Sequence, residues 1–137
     1  MNRQFAISVV VLFVLTMALG FVVHGVLLGK AYASLVTGGL FRSPESAEAY
    51  FPYMIAAHVA MAFGITWIYR QGREAKPVLG QGLRFGLALA LVMPVATYLV
   101  YYAVQPLPSD LVAQQIVYDV ISMVIVGIAT AALNRPA

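Results

Sequence analysis

The 137-residue chain contains no cysteine, a single tryptophan, and charged residues at only 9% of its positions. Each shortage removes a class of protein. Without thiols there is no disulfide, no cysteine-bound zinc or iron–sulfur centre, no thiol nucleophile and no thioether-linked haem. A water-soluble domain has about a quarter of its residues charged and about half apolar. Here the apolar share is 62% and the mean hydropathy is +0.89, so too little polar surface exists to face water, and the solvent that fits is lipid. Catalytic signatures are missing as well. There is no GxSxG, no serine beside either histidine and no HExxH pair, so neither a hydrolase triad nor a helical zinc motif is written in the chain, and a non-enzymatic protein is favoured. Internal repeats and low-complexity tracts are absent too, which leaves one domain over 1–137.

What the chain does have is four long apolar runs: Phe5–Leu28, Phe51–Tyr69, Phe85–Val104 and Leu111–Leu133. Each approaches the roughly 20 residues a helix needs to cross about 30 Å of hydrocarbon. The runs are too long and unbroken for a barrel strand, and an open sheet edge does not survive in lipid. The expected fold is therefore all-α: a polytopic integral membrane protein whose core is a four-transmembrane-helix bundle. Outside the runs, Arg3, Arg70, Arg73, Lys76, Arg84 and Arg135 fall at one end and Lys30 and Arg42 at the other. Cationic residues concentrate on the cytoplasmic side, so both termini are expected to be cytoplasmic. The net charge of +3 follows from that topology, and no nucleic-acid surface is read from it. Ala18-Leu19-Gly20 also suits signal-peptide cleavage, but the apolar run continues to Leu28, longer than a signal core, and favours a span.

Local signals refine the outline. Ser43-Pro44-Glu45 has the chemistry of a helix start, with serine as N-cap, proline in the first turn and an acid at the positive end of the dipole. An interfacial helix is expected there, within an outer loop running from Gly29 to Tyr50. Pro52 is expected to bend the second helix, and Pro94 to kink the third while depriving the Ala90 carbonyl of its donor. Small residues four apart (Gly25/Gly29, Ala56/Ala60/Gly64, Gly82/Gly86/Ala90, Gly127/Ala131) offer close-packing faces. Packing within the bundle is favoured for them over assembly with a second copy or another membrane protein.

Three ionisable side chains lie inside the runs, His24, His58 and Asp119, and such groups are functional candidates by default. At 1.5 Å per residue from the outer ends, they lie ~6, ~10 and ~12 Å deep, with Tyr98 at ~9 Å. All fall in the outer half. Gln115, Asp119 and Ser122, spaced i, i+4, i+7, form one stripe of the fourth helix that must face protein. No Lys or Arg lies within a run, so Asp119 needs a histidine, a tyrosine hydroxyl, glutamine, water or a bound cation; paired with His58, it would stay ionised. The cluster reads as a structural hydrogen-bond network of a scaffold or accessory subunit, or as a small-ligand, proton or cation site. Zinc on His24, His58 and Asp119 is a variant of the second reading. A b-type haem between His24 and His58 is a further alternative, making the chain a redox protein.

The stretches Val23–Lys30, Phe41–Glu45, Gly80–Gly86 and Tyr98–Tyr102 resemble those of an uncharacterised family of small four-span bacterial inner-membrane proteins. The resemblance implies the bacterial inner (cytoplasmic) membrane and carries no catalytic residue, cofactor or substrate. The chain does not resemble small multidrug transporters, which place a glutamate in the first span, or the dual-topology fluoride channels, whose charge bias is weaker.

Overall fold

A computed structural model describes residues 3–136, and these form helices and connecting turns with no strand. Four helices are long and apolar enough to cross a membrane: span 1 (Arg3–Leu27), span 2 (Pro44–Gln71), span 3 (Val78–Val104) and span 4 (Ser109–Leu133). Span 4 is the hub, packing against spans 1, 2 and 3. Its closest neighbour is span 3, for a reason visible in their small residues. A Cβ on Gly127 would lie 2.5 Å from the Gly86 Cα and from the Gly82 carbonyl oxygen, and one on Gly86 would lie 2.7 Å from the Val124 Cα. The two backbones touch, which only glycine allows. In lipid, where apolar burial drives little association, such contact is what holds helices together. Gly82, Gly86, Ala90, Gly127 and Ala131 thus pack within the chain, whereas Ala56 and Ala60 of span 2 are exposed.

The first and last described residues lie at one end of the bundle. Gln4 donates from Nε2 to the Leu133 carbonyl at 3.0 Å, and Arg70 donates from Nη1 to Asn134 Oδ1 at 3.3 Å, so span 1 begins where span 2 and span 4 finish. Below the midpoint, Leu12, Ala62 and Val126 form the centre of a fully buried apolar core. A second apolar cluster, including Val23, Leu28, Leu35 and Leu111, closes the opposite end.

Three features depart from the sequence expectations. The segment after span 1, expected as loop, begins with a nine-residue helix, Gly29–Thr37, followed by a turn in which Gly39 takes φ 75°. The apolar run ends at Leu28 and hides this element from a hydropathy reading. Pro94 produces a π-helical segment, Leu91–Val95. In that register a carbonyl pairs five residues on and so steps over the N–H that proline lacks. Pro52 sits in the first turn of its α-helix, directly after a 3₁₀ turn at Glu48–Tyr50, where its missing N–H leaves nothing unpaired. The Ser43 cap is present: its hydroxyl accepts the Ser46 amide at 3.4 Å, with φ −65° and ψ 154° at Ser43. A further π-helical segment, unheralded by proline, covers Phe21–Leu27 and carries His24.

Candidate functional site

A cavity of about 340 Å³ opens among all four spans, bordered by His24, His58, Tyr98, Asp119 and Ser122. Both π-helical segments border it, through His24 on one and Met93 and Pro94 on the other. Widened helices of this kind are frequent at functional sites because the extra residue re-aims the side chains around it. Much of the rest of the wall is apolar and adaptable, with Met61, Met93 and Met123 among its residues beside the hydroxyls of Thr16, Thr97 and Tyr101.

The polar groups are ordered by what each can donate. Gln115 Nε2 can only donate, and it reaches the Tyr32 hydroxyl oxygen at 3.0 Å. The Tyr32 proton then points to His24 Nδ1, 2.7 Å away. Accepting at Nδ1, a neutral His24 carries its proton on Nε2, which faces Asp119 Oδ2 at 3.3 Å. Tyr98 donates to the same oxygen at 2.5 Å. The result is one directed chain, Gln115 to Tyr32 to His24 to Asp119, met from the other side by Tyr98. Tyr32, on the helix outside the spans, has its hydroxyl pKa raised above 10.0 by burial first and by the Asp119 charge further down, so it remains a donor at neutral pH. Ser122 donates to the Tyr118 carbonyl at 3.0 Å.

His58 stands apart from that chain. It lies over Gly20, where an added Cβ would come within 3.5 Å of its Cε1, one helical turn before His24. Thr16 spends its proton on the Phe13 carbonyl at 3.1 Å, so His58 Nδ1, 3.0 Å from the Thr16 oxygen, is the donor of that pair. A neutral His58 therefore keeps its lone pair at Nε2. The His58–Asp119 pair considered from the sequence is not formed; His24 and Tyr98 take its place.

The arrangement bears on the metal and haem readings. Both nitrogens of His24 are engaged, one by Tyr32 and one by Asp119, so an iron ligated there would have to displace one of these partners. Among the described residues no group of three or more His, Asp or Glu is placed to hold a metal ion, so His24, His58 and Asp119 do not form a zinc set.

A second polar network, which the sequence reading missed, occupies the end bearing the termini. Asn134, fully buried, donates from Nδ2 to the Ser8 hydroxyl at 2.7 Å and to the Thr130 carbonyl at 2.9 Å. Thr66 gives its proton to the Ala62 carbonyl at 2.8 Å, so Ser8 is the donor in the 3.4 Å Ser8–Thr66 contact. Every member is satisfied. Asn134 lies just past the last apolar run, where a polar residue carries no sequence signal; Tyr32 and Thr16 were likewise unmarked.

No family model, no curated protein and no solved structure matches the chain, so the site is read from its own chemistry.

Proposed function

We propose that the chain is an inner-membrane protein of bacteria with both termini cytoplasmic, and that its outer-half cavity binds a small organic cation, a protonated amine, with Asp119 as the counter-charge. One observation carries this reading: the firmly held polar groups around the cavity have spent their protons on one another or on backbone carbonyls, and what remains open is acceptors. Both contacts of Asp119 use Oδ2, so its Oδ1 has no partner among the described residues, and Asp119 borders the cavity. His58 Nε2 and the lone pairs of Ser122 are open too. The exposed hydroxyls of Thr97 and Tyr101, also on the wall, donate or accept as required. An ammonium brings several N–H groups and a positive charge, and satisfies such a set. A hydrogen bond to a charged group is worth about 1.5–3 kcal/mol.

The contrast with the opposite end supports a ligand reading over a scaffold reading. The Asn134–Ser8–Thr66 network is closed and needs no ligand, as a structural network should be. The outer cluster is closed for donors only. Calorimetric titration of the purified full chain with butylamine tests the proposal. Saturable binding that disappears in Asp119→Asn is expected; no binding, or binding indifferent to Asp119→Asn, would refute it.

A further inference from the structure

A second cavity of about 410 Å³ adjoins the first on the side away from the termini, and His24, Tyr98 and Tyr101 border both. Its remaining wall includes Tyr32 and Phe41, whose ring centroids are 5.2 Å apart, and Gln115. Four aromatic rings therefore surround it. Gln115 is 4% exposed, and its Oε1 is a buried side-chain acceptor with no partner among the described residues. An orphaned buried acceptor costs about as much as a lost hydrogen bond, so the Gln115 side chain on this wall has a standing demand for a donor. Ring faces and one acceptor together are the chemistry that holds an ammonium group.

Charge at this end favours the same visitor. Glu45, Glu48 and Asp110 lie here against Lys30 and Arg42, and Arg42 is occupied, its guanidinium lying 3.7 Å from the Tyr50 ring centroid. The opposite end holds six cationic residues and one glutamate, Glu74, which is paired with Lys76. A cation is drawn to the vestibule end and repelled from the other.

Gln115 and Asp119 are one helical turn apart, ~6 Å along span 4. Resting on the amine reading above, we infer that the vestibule is a second ammonium subsite and that the chain's ligand is a short linear diamine. One ammonium sits on Asp119 Oδ1, the other on Gln115 Oε1 among the rings of Tyr32, Phe41 and Tyr101. The methylene chain between them lies against the aromatic faces common to both cavities. Entry is from the vestibule, which the diamine reaches first.

Titration of the purified full chain with 1,4-diaminobutane and with butylamine separates this inference from the one it rests on. The diamine is expected to bind about tenfold more tightly, the gain of one charge-assisted hydrogen bond. Gln115→Leu should bring the diamine close to the affinity that the same variant shows for butylamine, while Asp119→Asn abolishes both. Because Gln115 also holds Tyr32, Phe41→Leu serves as a second variant that removes a ring face without touching a hydrogen bond; it should narrow the diamine advantage and leave butylamine alone. If butylamine binds the parent but the diamine binds no better, or if neither variant narrows the difference, the second subsite is overturned and the Asp119 site stands. If butylamine fails to bind the parent, both fall.

Discussion

Side chains of the two polar networks should respond differently to loss of a hydrogen bond. Tyr98→Phe deletes one of the two donors to Asp119 Oδ2, leaving the carboxylate less satisfied. The empty protein is expected to lose about 1.5–3 kcal/mol of stability, while butylamine binds at least as tightly, since the ammonium now meets a hungrier acceptor. Asn134→Leu breaks the closed network, in which one amide serves Ser8 and the Thr130 carbonyl. It should cost about 1–3 kcal/mol and leave butylamine affinity where it was. Thermal unfolding in detergent beside calorimetry reads both quantities; an Asn134→Leu protein with altered affinity would show that the networks are coupled.

Helix by helix, the seam between spans 3 and 4 is the least forgiving part of the structure. Gly127→Val places branched carbon where backbone atoms of Gly82 and Gly86 already lie 2.5 Å from a single Cβ. The neighbour there is main chain, which cannot swing aside, so the cost should exceed the 1–3 kcal/mol typical of an overpacked core. Gly64, with nothing within 4 Å of its Cβ position, is the control: Gly64→Ala should be neutral or stabilising by up to about 1 kcal/mol, the helix-propensity difference. Unfolding midpoints of the two variants in one detergent test this, and equal effects would refute it. Those glycines were readable as close-packing faces from their four-residue spacing, and the Ser43 cap from its chemistry. Neither π-helical segment was readable. Proline announces a break at position 94 without saying which register repairs it, and nothing in Phe21–Leu27 distinguishes it from α-helix. The residues of the cluster were legible while the pairing of Asp119 with His24 and Tyr98 was not.

At the level of the whole chain, four apolar runs were sufficient to state the number of membrane-long helices, because lipid leaves so few alternatives. Their limits were less clear. Span 3 starts at Val78, seven residues before Phe85, since Pro77 and not Arg84 decides where the helix begins; an arginine near a helix end directs its charged head to the interface. The helix Gly29–Thr37, which supplies Tyr32, lay beyond a hydropathy reading. Orientation rests on the clustering of cationic residues at the end that carries both termini. A reporter fused after the last residue is expected to register the cytoplasmic side, and a periplasmic signal would reverse the assignment.

The floor of the cavity has a consequence of its own. Beneath Met123 and Val126, which border it, lie the buried side chains of Leu12, Ala62 and Ile65, and beyond those the hydrogen bonds of Asn134 to Ser8 and Thr130. On the side of Leu12 and Ala62 the cavity therefore meets packed side chains. If the proposed amine enters at the vestibule and this layer holds, vesicles carrying the protein are expected to take up amine in proportion to the number of chains and then stop; sustained flux would show that the layer opens.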